Sequence, residues 1–488
     1  MRIEELVRTD WAVVTGLSLI LLDVVSLAAY VFPFVNWVVL PVIVVAYACA
    51  LYLKPKAALA VPLAELAWGS FGASLAWDLG MFHVTLRTLL FVLTLGMFLF
   101  RIRSLSFPRF FRSQSGAIAL SIAAAVAWGL AVALVRQQPF NQLYLDVNAY
   151  LFGLYVLPWA AVLRREDLPM LASVVVGAAM ALAGKTLFLF HVFASGYEFL
   201  NPHYLYLWIR DTRIGEITLA GSVWRIFIQS QLYIGIVLLG AILAAGFSRR
   251  MSFKYLTAVS ILAAALLASS SRSYWLGFAV ALVSIAAVSA VLKLRMSYAR
   301  TAVALGSSLV CAILLLVVLV LPSGGRGAAM FLAGRISLND AAGSSRMQQL
   351  PPLLRAIGKH VIAGSGFGQT VTFSSSDPRI RTPQNPSGTV NTYAFEWGYL
   401  DQLLKMGFIG FAVFAGALLY LAYCLASALK RAGDRAAPMT VLFSGLIFIA
   451  AVHMTSPYLN HPLGIGYLAL LLAILYARTE NAYAPSLH

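Results

Sequence analysis

The sequence predicts an all-α polytopic membrane protein with about 14 transmembrane helices and one long polar loop between spans 11 and 12. Three observations predict it. The 488 residues are 61% hydrophobic and 11% charged, with a mean hydropathy of +0.85, whereas soluble domains average about half apolar and a quarter charged. Apolar windows of about 20 residues, the length that crosses a bilayer, recur along the chain. Lys and Arg crowd into alternate gaps between those windows, the asymmetry that orients membrane proteins.

In chain order the windows fall at about 11–31, 35–53, 57–79, 83–100, 116–135, 146–163, 168–192, 226–247, 254–271, 273–292, 301–322, 401–427, 438–454 and 463–477. The stretch MRIEELVRTD lacks a small-residue cleavage pattern, so the first window is expected to be a retained helix. Glu65, Trp68, Gly69 and Gly72 interrupt the third, which fits a re-entrant segment as well as a span. Arg87 and Lys185 also lie within windows. Cys49, Cys311 and Cys424 sit in apolar runs and are expected to be small core residues rather than disulfides or metal ligands.

The basic gaps hold Arg2, Arg8, Lys54, Lys56, Arg101, Arg164, Arg165, Lys430 and Arg431, among others. They are the N-terminus and the even-numbered window exits, which is expected to place both termini in the cytoplasm and the long loop outside, in a bacterium the periplasm or cell exterior. Topology thereby explains much of the formal charge of +17, and nucleic acid is not an expected partner. The expected organisation is residues 1–322 for spans 1–11, 323–400 for the loop, and 401–488 for spans 12–14 with a cytoplasmic tail.

Two polar segments lie on the side away from the basic gaps. From Arg326 to Asp401, seven cations (Arg326, Arg335, Arg346, Arg355, Lys359, Arg379, Arg381) face only Asp340, Asp377, Glu396 and Asp401, a balance suited to an anionic ligand. Long loops in compact proteins are more often functional than idle, although a solvated linker is the plain alternative. The other segment, residues 194–225, carries Arg210, Arg213 and Arg225, with Tyr204, Tyr206 and Trp208 as an aromatic belt. No internal repeat, Asp-x-Asp, His-Glu-x-x-His or Cys-x-x-Cys occurs, so neither metal nor cofactor is implied. The GSGFG of Gly364–Gly368 lacks the Lys-Ser/Thr of a nucleotide loop and reads as a sharp turn.

Between windows nine and ten lies SSSRSYWLGF, Ser269–Phe278. An arginine in an apolar hairpin is costly, so Arg272 is a functional-site candidate; its planar fork of donors suits a diphosphate, and snorkelling to headgroups is the alternative. This turn, followed in order by GSSR at Arg346, GSGFG, and YAFEWGYLDQLLKMGFIG at Tyr393–Gly410, resembles the O-antigen ligase and Wzy-type polysaccharide polymerase superfamily.

The resemblance implies a membrane-embedded C-type glycosyltransferase. Such an enzyme moves a glycan from an undecaprenyl-diphosphate donor to a glycan or lipid-linked acceptor among membrane lipids, in one inverting, metal-independent displacement. A chain-length regulator is a further partner of the polymerase form. Arg272 and Arg346 are similar to the family's hairpin and loop arginines and would hold the diphosphate. The family's histidine before the Tyr-Leu helix has no counterpart between His360 and His453, which leans the reading toward polymerase over ligase. Glu396, a lone acid among Tyr393, Phe395 and Trp397, would be partly desolvated, raised in pKa and fit to take the acceptor's proton, or would pair with an arginine to fix the loop. Arg210, Arg213, Arg225, Arg87, Tyr393 and Lys405 are the expected substrate-binding residues. A lipid-linked glycan flippase is the competing class, though such transporters commonly carry repeats and broken helices near midplane.

Overall fold

A computed structural model of the chain describes residues 7–80, 83–101, 108–220, 223–248, 251–321, 341–377, 380–432 and 436–480. In chain order its helices are α1 (Thr9–Val31), α2 (Phe34–Leu53), α3 (Pro55–Ala58), α4 (Ala60–Trp68), α5 (Leu86–Arg101), α6 (Pro108–Phe111), α7 (Gln114–Val135), α8 (Phe140–Leu151), α9 (Val156–Val162), α10 (Leu168–Ser195), α11 (Pro202–Asp211), α12 (Gln231–Phe247), α13 (Phe253–Ala268), α14 (Arg272–Val291), α15 (Tyr298–Val320), α16 (Ala341–Lys359), α17 (Gly398–Ala432), α18 (Ala437–His453) and α19 (Pro462–Glu480). Serines open three of them: the Oγ atoms of Ser113, Ser252 and Ser297 accept from the amides of Gly116, Tyr255 and Arg300, satisfying donors that a helix start leaves bare.

Among the described residues, eight helical stretches are long and apolar enough to cross a membrane, and four shorter apolar helices accompany them, as a polytopic membrane protein requires. The central α10 packs against α1, α4, α12 and α13. Helices α1 and α2 expose Val13, Leu17, Leu21, Val38, Val42 and Val45, the outward face expected against hydrocarbon.

The third window is not one straight helix. Helix α4 ends at Trp68, and the chain turns through 69–75 into a hairpin. Gly69 lies against the Glu65 carboxylate, and Gly72, at φ +81, lies so close to Arg87 that a Cβ would stand 2.7 Å from that residue's Cβ. Nor is the chain wholly helical. Among the described residues three antiparallel hairpins, β1–β2 (Ala76–Asp78, His83–Thr85), β3–β4 (Gly215–Ala220, Val223–Ile228) and β5–β6 (Val371–Ser374, Thr389–Thr392), interrupt it.

The described part of the long loop is folded. Helix α16 lies on β5 and on the start of α17 around a small separate core of Leu353, Ile357, Val371, Phe395 and Leu404. Gln348 stitches α16 to the strand end, its Nε2 donating to Ser376 Oγ at 2.9 Å and its Oε1 accepting from the Ser376 amide at 2.8 Å. Arg326, Arg335 and Arg379 lie outside the described residues.

Helix α17 breaks at Gly407 (φ +61, ψ −173), a conformation essentially confined to glycine. The break frees backbone groups that need partners, and the glycine turn supplies them. Ser365 and Gly366 donate to the carbonyls of Leu404 (2.7 Å) and Lys405 (3.0 Å), while Phe408 and Ile409 donate to those of Val361 (2.7 Å) and Ile362 (3.2 Å). Trp128 of α7 closes the joint, its Nε1 donating to Ala363 O and Met406 O.

Candidate functional site

Two groups of polar side chains are linked through the turn of residues 454–461. The first is built on the start of α17. Arg346 donates its Nε–H to Oε2 of Glu396. Around that pair, Trp397 Nε1 donates to Arg346 O at 3.0 Å, and the Glu396 amide donates to Gln349 Oε1 at 3.2 Å. The pair is open to solvent: the Arg346 side chain is 30% exposed and that of Glu396 47%. The aromatic enclosure expected around Glu396 does not form, because Phe395 turns into the small core and Trp397 turns to α16. Among the described residues no hydrogen bond reaches Glu396 Oε1.

The second group surrounds the turn before α14. Ser270 holds φ +50, and Arg272 begins the helix exposed, without a hydrogen-bond or ion-pair partner among the described residues. Its neighbours are tied down. Ser273 Oγ bonds Ser271 Oγ and Ser456 Oγ, each at 3.0 Å, and Tyr274 OH meets Tyr458 OH. From β4, Arg225 donates to Ser269 O at 3.2 Å and lies over the Phe227 ring.

The turn of residues 454–461 joins the two groups. At one end it holds Ser273; at the other, Asn460 Nδ2 donates to Asp401 Oδ2 in the first half of α17. Tyr399 donates to Ala450 O at 2.7 Å and sets its ring on His453, whose carbonyl Gly398 abuts.

The remaining expected residues separate. Tyr393 is half-buried beside Arg213, Lys405 and Asp146. Burial pushes its phenol above the usual value and the Asp146 carboxylate adds to this, against the opposing Lys405 and Arg213 charges. Arg213 is exposed at φ +52. Arg210 is taken up by Asp211 (2.6 Å) and lies over Tyr206; the guanidinium and the Tyr30 hydroxyl hold the Asp211 carboxyl below the usual range.

Two of the expected substrate-binding residues are not offered to a surface ligand. Lys405 is 1% exposed, its ammonium held between Asp146 (2.5 Å) and Asp401 (2.7 Å). Arg87 is buried with Glu65, to which its Nε donates at 2.8 Å, and neither of its Nη atoms has a hydrogen-bond partner among the described residues. The physical reason is the same for both: a charge inside an apolar bundle is tolerated when it is paired.

Sequence reasoning missed Asp146, Asn460 and Ser456. The turn's SPYLNHP carried a signal in its two prolines; Asp146, at the edge of an apolar window, carried none.

The fold and site define a polytopic membrane protein with an exposed arginine–carboxylate pair, Arg346 with Glu396, on the folded part of its long loop. Residues 257–415 match the family model Wzy_C, described as O-antigen ligase, and this supports the O-antigen ligase and Wzy-type superfamily and, at family level, glycosyl transfer of that kind. The match contains Arg272, Arg346 and Glu396. No curated protein matches the chain.

Proposed function

We propose that the protein is a Wzy-type O-antigen or exopolysaccharide polymerase of the bacterial inner membrane, with both termini cytoplasmic. It takes a glycan from an undecaprenyl-diphosphate donor and passes it, at the periplasmic face, to a lipid-linked repeat unit. The observation that carries this reading is the Arg346–Glu396 pair, linked through the turn of residues 454–461 to the serine turn of Arg272 and inside the matched segment.

In the reaction an acceptor hydroxyl oxygen bonds to the anomeric carbon as the bond from that carbon to the donor's phosphate oxygen breaks, inverting the centre. The electron pair leaves on the lipid diphosphate, where Arg272 and Arg346 meet the growing charge with planar donor forks. The hydroxyl proton goes to Glu396 through Oε1, which no hydrogen bond occupies among the described residues. Tyr393 and Arg213 line the approach and bind sugar or phosphate oxygens.

Transfer to lipid A-core, an O-antigen ligase activity, is the second reading, favoured by the description of the matched family. Purified protein in nanodiscs with the lipid-linked repeat unit separates the two. A ladder of products from that substrate alone marks a polymerase. A single transfer that requires added lipid A-core marks a ligase. Transfer in neither case, with EDTA present or absent, overturns the glycosyltransferase reading.

A further inference from the structure

Beneath the exposed groups lies a buried cluster that the reaction above does not use. Lys405 Nζ sits 2.5 Å from Asp146 Oδ1 and 2.7 Å from Asp401 Oδ1. Asp146 Oδ2 accepts the amide of Gly368 at 2.8 Å, and Asp401 Oδ2 accepts Asn460 Nδ2. Four pieces of chain thus converge: α8, the glycine turn, the first half of α17, and the turn after α18. All three ionisable residues are less than a tenth exposed.

Stability alone is a poor account of such a cluster, since well-packed apolar side chains of similar volume are often as good or better. What it adds is a fixed arrangement, because each charge must find its partner or stay buried without one. The parts fixed here are those that carry the site. Asp401 lies little more than one helical turn from Glu396, and Asn460 belongs to the turn whose Ser456 bonds Ser273, the neighbour of Arg272. Gly368 ends the glycine turn, where a Cβ would stand 2.8 Å from the Leu143 amide.

We propose that Asp146, Lys405, Asp401 and Asn460 form a positioning brace that holds the Arg272 turn in register with the Arg346–Glu396 pair. The proposal rests on the reading that these exposed groups act in transfer. It makes Lys405 a positioning residue instead of a donor ligand. Charge–hydrogen-bond geometry of this kind matters because displacing reacting groups by about 1 Å costs on the order of a hundredfold in rate.

The test uses the full chain in nanodiscs with Cys49, Cys311 and Cys424 replaced by Ala and spin labels on Met347→Cys and Met454→Cys. Both methionines are exposed, one beside Arg346 and one at the start of the turn. Asp146→Asn leaves a one-to-one Lys405–Asp401 pair, and Asn460→Ala removes one hydrogen bond. For both, the expected result is a broadened label distance, saturated transfer down at least tenfold and a donor KM within twofold of the parent. A parent-like, narrow distance distribution in both variants overturns the brace, whatever the rate. If Asp146→Asn does not fold, Asn460→Ala, at a partly exposed position, decides alone. The label distance needs no substrate, so a parent protein that fails to transfer glycan would sink the functional reading and still leave the brace tested.

Discussion

Arg346 and Glu396, 50 residues apart in the chain, form one ion pair with nearly half of the carboxylate side chain exposed. A pair this open contributes little to stability, about 0–1 kcal/mol. One of its carboxylate oxygens is free of hydrogen bonds among the described residues, the oxygen to which the proposed transfer sends the proton. Arg272, without a hydrogen-bond or ion-pair partner among the described residues, follows the serine turn that the 454–461 turn holds through Ser456 and Ser273.

Arg272→Lys is expected to behave as a loss. The side chain is exposed and makes no hydrogen bond or ion pair among the described residues, so the fold has little stake in it. Expression and melting should stay near the parent's. An ammonium is a point charge and does not reproduce a two-pronged fork on a diphosphate. Transfer should therefore fall at least tenfold, about 1.4 kcal/mol in the barrier. Full activity in the lysine variant would reduce Arg272 to a headgroup anchor.

How much of this was legible in the sequence depends on the range of each interaction. The apolar windows locate helices such as Thr9–Val31 and Gln114–Val135 within a few residues, because length and hydropathy are local properties. In window 57–79 the interruptions at Glu65, Trp68, Gly69 and Gly72 mark a candidate re-entrant segment, and the helix does end at Trp68, but the pairing of Glu65 with Arg87 of the next window has no local sign. The alternation in GEITLA is a strand signal for the β3–β4 hairpin, but VWRIFI does not alternate, and Tyr204, Tyr206 and Trp208 make the segment read as an interfacial belt instead. The Arg346–Glu396 pair was open to anticipation as one of two roles for a lone acid among arginines. Lys405 with Asp146 was not, since 259 residues separate them and nothing local marks either as the other's partner.

Orientation makes a separate prediction. With both termini cytoplasmic, Ser374→Cys on the exposed face of β5 should react with an impermeant thiol reagent in cells whose outer membrane has been opened. Lys430→Cys, exposed near the end of α17, should react only after lysis. The reverse pattern would invert the topology, and with it the face at which transfer is proposed.

The buried Arg87 should behave unlike Arg272. Arg87→Met leaves the Glu65 carboxylate buried and unpaired, which costs on the order of 3–5 kcal/mol, so yield and melting temperature in detergent should drop sharply. Glu65→Leu added to it removes the second charge and should restore much of that stability, since an apolar replacement of both partners is often neutral. A double variant no better than the single one would mean that Arg87 is held by something other than Glu65, and its two unbonded Nη atoms would be the place to look.

Glu396→Gln separates the two roles open to that residue. As the proton acceptor, it loses its basicity while the amide keeps its shape and most of its hydrogen bonds, so saturated transfer should fall about 100-fold or more and direct donor affinity should hold. As a structural partner of Arg346, it should instead free the guanidinium and loosen α16 against α17, weakening donor affinity with a smaller loss at saturation. Because the pair is solvent-exposed, Glu396→Gln should not unfold the protein, so the variant can be compared with the parent at equal protein concentration in nanodiscs. Unchanged turnover at saturating donor would remove Glu396 from the proton transfer. Tyr393 is a poor replacement: its phenol is pushed above the usual value by burial and stays protonated across the working range. Asp401 is occupied by Lys405 and Asn460, so the search would move to the acids at Asp211 and Glu216 on the neighbouring segment, of which Asp211 already pairs with Arg210.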